Sequence, residues 1–380
     1  ERNLVFPCVT ILWKGSPEHP PVELDLPTGM RYAVDAEFEN GWWRFETSFG
    51  RLASRMFATE QGTTAERPAE LNGTERIAAV LPGPMRIRLD EPNALPLDFA
   101  EYSVEGEPFR YGYICNIDSE LRRRLGLLER GPEMVQPWKW KYLQENSRSA
   151  DLRLRYRFQV RTVPVELALA LEERKEYGIR VNGVQVDAPA EGWWCDPAFE
   201  KVRIPREFLK TGENILELQC AFHGGMSGLE AVCLLGDFGV AENEVTAPVR
   251  MLNYGDWGLQ GFPYYTGNIS YSSDFEWDAA SPAVFLQIPE WKGSALAVTV
   301  NGHEHLCLSP EMDGWNIAPY LKRGSNSLEI KVFGSRRNAL GPLGGERGPL
   351  LCPGDFSYSD PAERRLKPYG LMKPVVLLVR

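Results

Sequence analysis

Aromatic side chains stand beside carboxylates and amides in several stretches of the chain. Asp256 and Trp257 are adjacent, and Gln260, Tyr264 and Tyr265 follow in a segment punctuated by glycine. Trp193 and Trp194 come just before Asp196, and Trp315 lies two residues after Asp313. Rings that can lie against the C–H face of a pyranose, next to groups that bond hydroxyls, are the means by which proteins hold sugars. For Trp193, Trp194 and Trp315 the default explanation is an aromatic plug in a core. For the loop 256–265 both explanations stand open, because a polar, aromatic, glycine-rich loop suits a cleft.

Other chemistry finds less support. Glycoside hydrolysis needs two facing carboxylates, and among 52 acidic residues no spacing singles out a pair, so no catalytic residue is assigned. Of His19, His223, His303 and His305, the run His303-Glu304-His305 puts two imidazoles on one side of a strand. That pattern fits a metal ligand pair or, by default, a solvated hairpin arm. The glycines from Gly341 to Gly348 lack the flanking strand and Lys-Ser/Thr of a phosphate loop. Seven scattered cysteines without a C-x-x-C pair read as buried thiols, which tilts toward a reducing, cytoplasmic setting. A Cys220–Cys233 bridge between neighbouring strands would keep secretion open.

With 42 basic against 52 acidic residues, a net charge of −10 argues against nucleic acid as the partner. No apolar run is long enough to span a bilayer, and the start at Glu1 shows neither an initiator Met nor a signal peptide, so the chain reads as a piece or a processed product.

The elements that would position these residues are strands. Val22–Leu26, Met85–Leu89, Leu152–Phe158 and Ala297–Val300 alternate apolar with polar residues, between clusters of Gly, Pro, Asn and Asp. One helix is expected, over Ser119–Arg130, from the spacing of Leu121, Leu125 and Leu128. An internal repeat organises the rest. Val181-Asn182-Gly183 precedes Leu209-Lys210-Thr211-Gly212-Glu213-Asn214-Ile215-Leu216-Glu217, and Val300-Asn301-Gly302 precedes Leu321-Lys322-Arg323-Gly324-Ser325-Asn326-Ser327-Leu328-Glu329. Each V-N-G predicts a type I′ hairpin, and each L-K-x-G-x-N-x-L-E a turn feeding a half-buried strand. The expected organisation is a small β domain over 1–60, a linker over 61–75, one sandwich over 76–242, a connection over 243–257 and a second sandwich over 258–380.

On these residues the chain resembles the galactose-binding-like jelly rolls of large multi-domain glycoside hydrolases, α-L-rhamnosidase-like enzymes and relatives with family 2 type sugar-binding domains. The doubled V-N-G and L-K-x-G-x-N-x-L pattern is the first match. The stretch from Gly255 to Gly267 resembles their "G-D-W … G-x-P-F-Y-S-G" connection, Glu91–Asp98 an opening strand and Leu234–Val240 a closing strand. The resemblance implies an all-β fold of tandem jelly-roll sandwiches preceded by a small β domain. It also implies a carbohydrate partner, no organic cofactor, and a structural calcium in some such modules. The hydrolytic carboxylates would sit on a (β/α)₈ barrel that this chain does not contain, expected N-terminal to Glu1. Where such enzymes carry histidines after the Asn338–Pro342 stretch, this chain has Leu343-Gly344-Gly345, which puts any ligand contact there in doubt. A free-standing lectin-like module and a complete β-sandwich glycosidase remain the alternatives.

Overall fold

The computed structural model describes residues 6–25, 30–49, 54–59, 64–65, 76–130, 148–278, 283–307, 314–341 and 364–379. The expected linker, apart from residues 64 and 65, together with Asp313 and Leu343-Gly344-Gly345, lies outside them. The fold is all-β, and its packing divides the chain into two compact units. One comprises 87–269 with 334–370; the other comprises 1–86 with 270–333 and 371–380.

The first unit is a sandwich. Strand Ser149–Val160 alternates Asp151, Arg153, Arg155 and Arg157 outward with Leu152, Leu154, Tyr156 and Phe158 inward. It pairs along its whole length with Gly212–His223 and lies at the centre of an eight-stranded sheet. A five-stranded sheet runs in the order Ala190–Trp194, Asp196–Ile204, Leu167–Leu171, Val232–Gly236, Asn93–Leu97. Leu154, Tyr156, Leu216, Leu218 and Phe222 from one sheet and Leu169, Leu171, Val202, Ile204 and Leu234 from the other share one core. Truncating any of these leucines to alanine would cost about 2–5 kcal/mol.

In the second unit, strands Ile269–Trp277, Gly324–Phe333, Ala295–Val300 and His303–Cys307 are neighbours in that order. Trp315–Asn316, Val284–Gln287, Val376–Val379 and Arg76–Val80 form another sheet. Residues before 60 contribute two three-stranded sheets. The packing units therefore cut across the expected boundaries: 76–86 belongs with 270–333, and 334–370 belongs with 87–269. Pairing of Arg76–Val80 with Val376–Val379 joins segments nearly three hundred residues apart, a relation no local pattern carries.

The repeated motif becomes a polar clasp, built twice. Asn182 and Gly183 have φ of 51° and 82°, and Asn301 and Gly302 of 50° and 87°, as type I′ turns require. In the first copy Asn182 Nδ2 donates to the Phe208 carbonyl and to Asn214 Oδ1, both at 2.8 Å, while the Ile215 N–H donates to Asn182 Oδ1 at 3.0 Å. Buried Asn214 in turn donates to the carbonyls of Lys210 (2.7 Å) and Gly212 (3.0 Å) and accepts from the Lys210 N–H (3.0 Å). In the second copy Asn301 bonds the Tyr320 carbonyl, Asn326 and the Ser327 N–H in the same way. Asn326 bonds both backbone groups of Lys322 and the Gly324 carbonyl. In each clasp a buried amide, Asn214 or Asn326, is fully satisfied by a half-buried one and by backbone, which is what burial of such a group demands.

Two expectations are corrected. The helix runs from Ile114 to Leu125, not Ser119 to Arg130, because Gly126 takes φ 70° and closes it with its N–H on the Arg122 and Arg123 carbonyls. Cys220 and Cys233 are free thiols on strands of opposite sheets, so they do not bridge neighbouring strands.

Candidate functional site

The Asp256–Tyr265 connection is tied down by its own functional groups. Asp256 caps a short 3₁₀ turn, Trp257–Gln260, by accepting from the Gly258 N–H at 2.8 Å, and it also accepts from the Tyr369 N–H at 3.2 Å. Gln260 accepts from the Asn253 N–H (2.8 Å) and donates to the carbonyls of Asn253 and Asp256 (3.2 Å each). Trp257 is 0% exposed, stacked on Tyr369 at 5.4 Å and edge-on to Tyr265 at 6.1 Å. The Tyr265 hydroxyl donates to the Asn268 carbonyl at 2.9 Å and accepts from the N–H groups of Asp90 and Glu91. Tyr264 donates to Asn243 Oδ1 at 2.6 Å and accepts from Arg364, whose guanidinium also pairs with buried Asp98. Burial pushes both phenols up in pKa, so they remain neutral donors. Gly261, at φ 107°, lies where a Cβ would meet Val249 at 2.7 Å, which explains a glycine amid aromatics. In this conformation the loop turns its rings and acid inward and holds the unit together.

The remaining candidates are dispersed. Trp194 is buried edge-on against Phe199 at 6.1 Å, whereas Trp193, the next residue on the strand, is 54% exposed. Trp315 belongs to the other unit, half-buried in a cluster of rings. His305 lies parallel to it at 5.1 Å, His303 stacks on Tyr320 at 4.5 Å, and Trp315 meets Tyr320 at 5.2 Å. Among the described residues the His305 Nε2 is buried without a hydrogen-bond partner, and burial lowers the pKa of that imidazole. His303 and His305 thus share one side of a hairpin strand, as the sequence pattern predicts. Among the described residues no group of three His, Cys, Asp or Glu side chains is arranged to hold a metal ion.

One feature escaped the sequence reading. Asp118 and Arg122, both on the helix and both about 1% exposed, pair at 2.8 Å; Arg130 Nε reaches the same carboxylate oxygen at 3.2 Å, and the Leu229 N–H donates to the other at 2.9 Å. Arg130 also bonds the Leu229 carbonyl at 2.9 Å and pairs with Glu230, pinning the turn after His223. Beside them Glu172, accepting from the Ser227 hydroxyl, has its pKa raised to about 7 by burial and by the Glu230 and Glu173 carboxylates. The i,i+4 spacing of Asp118 and Arg122 was the available signal, but it reads equally as a solvated surface pair.

A comparison with protein-family models returns no match, and one with curated protein sequences returns none either. Among solved structures, a rhamnosidase from Novosphingobium sp. PP1Y aligns at 18% identity over 61% of this chain and 23% of its own, with a TM-score of 0.24. The β-D-mannosidase from Dictyoglomus thermophilum aligns at 15% identity over 64% of this chain and 31% of its own, with a TM-score of 0.25. The Streptomyces avermitilis α-L-rhamnosidase complexed with L-rhamnose aligns at 11% identity over 88% of this chain and 35% of its own, with a TM-score of 0.25. This chain thus spans between 23% and 35% of the length of these proteins. Superpositions of this quality bear on neither site nor activity.

Proposed function

We propose that this chain is a non-catalytic accessory region of a glycoside hydrolase, carrying carbohydrate-binding jelly rolls and supporting a catalytic (β/α)₈ barrel. The observation that carries the reading is the doubled asparagine clasp. The motif by which the chain resembles the sugar-binding modules of such enzymes is the one that closes a hydrogen-bond network around a buried asparagine in each unit. The inward-facing G-D-W connection agrees with an architectural part, since its carboxylate and phenols are consumed by backbone and neighbouring side chains. Carbohydrate and the barrel are the expected partners. The test is turnover of a panel of chromogenic aryl glycosides by the purified chain. The expected result is hydrolysis no faster than the buffer blank; steady turnover abolished by replacing a single carboxylate would overturn the accessory role.

A further inference from the structure

The two outer faces of the sandwich in the 87–269 unit carry charge differently. On the eight-stranded sheet the charges close into cross-strand ladders: Arg155 pairs with Glu217 at 2.7 Å, Arg157 with Glu101 (3.0 Å) and Glu213 (2.9 Å), and Gln219 bonds Asp151 at 3.0 Å. On the five-stranded sheet, the alternation that sends Val202 and Ile204 into the core sends Lys201 and Arg203 outward, about 7 Å apart along the strand. These two cations, with Glu166 just before one neighbouring strand and Glu191 on another, make no side-chain hydrogen bond or ion pair among the described residues.

All four line an open groove of about 590 Å³. Ala168, opposite Arg203 in the sheet, keeps its floor low, as does Gly236, where a Cβ would strike the Glu166 carbonyl at 2.6 Å. Leu89, Pro92, Leu235 and Val249 supply an aliphatic side. Asp237 and Arg250, also in the lining, are locked in a two-bonded ion pair, and Glu91 is held by Arg336. The lining contains Arg88, Lys201, Arg203 and Arg250 against Glu91, Glu166, Glu191 and Asp237, four charges of each sign.

We infer that this groove is a binding site for a neutral saccharide of two or three units, a proposal that rests on the carbohydrate context of the accessory reading. A volume in this range, an aliphatic wall for C–H faces and unengaged donors and acceptors of both signs fit a polyhydroxylated ligand. Balanced charge gives a phosphorylated or polyanionic ligand no net attraction. The aromatic connection leaves the task to this face, since its carboxylate, amide and phenols are already engaged and its indole is buried.

The test is isothermal titration of the whole chain with neutral di- and trisaccharides of gluco, galacto, manno and rhamno configuration. At least one should bind. Glu191→Ala and Arg203→Ala should each weaken it about tenfold, as loss of a hydrogen bond to a charged group implies. Ala168→Trp, which fills the floor, should abolish binding, and Arg157→Ala on the opposite face should leave affinity unchanged. Thermal melts of the groove variants should match the parent, which separates lost contacts from lost fold. The proposal is overturned if no neutral saccharide binds, if only a sulfated or uronate oligosaccharide does, or if Ala168→Trp and Arg203→Ala bind like the parent. Aryl glycoside turnover by the chain would instead sink the accessory reading, so the two can fail separately.

Discussion

The asparagine clasps of the two units share the same asparagine and backbone hydrogen bonds, the second adding one from the Ser327 hydroxyl, yet what hangs from them differs. In the first, the hairpin continues into a two-residue strand, Val184–Gln185, whose side chains are exposed. In the second it continues into five residues, His303–Cys307, that lay two imidazoles on Tyr320 and Trp315. Tyr320 occupies the place of Phe208, each lending its carbonyl to the clasp. The same motif therefore specifies a backbone junction, while surface chemistry is set by residues outside it. Buried titratable groups separate the units further: a four-carboxylate, two-guanidinium cluster in one, and in the other a half-buried imidazole with no partner at Nε2 among the described residues.

The largest effects should come from the shared part. Asn214→Ala removes four hydrogen bonds and leaves the Lys210 backbone groups without their partner, and Asn326→Ala does the same to Lys322. Each should cost about 4 kcal/mol, summing roughly 1 kcal/mol per bond. Denaturant unfolding, resolved into separate transitions for the two units, checks that the losses are similar and each confined to its own unit. A loss in one copy alone would break the equivalence.

Acid and base should then pull the units apart. Glu172 holds its proton more tightly folded than unfolded, so its contribution is complete below the unfolded carboxylate range near 4.5 and is lost as pH rises through about 7. The loss is on the order of 3 kcal/mol, and Glu172→Gln should flatten it. His305 has the opposite sign. Its folded pKa lies below 6.5, so stability is whole above that value and falls as pH drops through it. Scanning melts between pH 4.5 and 8 should show the transition of the 87–269 unit falling as that of the 270–333 unit rises; parallel shifts would contradict both assignments.

Much of this fold is legible in the sequence because its signals are local. Alternation in Leu152–Phe158 places each side chain, and Asn-Gly marks positive φ at a hairpin tip wherever it occurs. The helix was shifted because leucine spacing runs on past Gly126, while backbone geometry stops there. The aromatic connection looked like a cleft because Trp257, Tyr264 and Tyr265 read the same whether they face solvent or a core; distant partners such as Tyr369 on Trp257, Arg364 on Tyr264 and Asp90 on Tyr265 decide it. The groove was invisible for a related reason. Glu166, Glu191, Lys201 and Arg203 look like ordinary outward residues until the sheet brings three strands together and leaves them without partners among the described residues.

The central claim, one clasp built twice as architecture, is tested most directly by double-mutant cycles on Asn182 with Asn214 and on Asn301 with Asn326. Equal coupling in the two copies, about 1–2 kcal/mol each, is the predicted result. Coupling in one copy and additivity in the other would contradict it, and would mean that the repeated residues do different work in the two units.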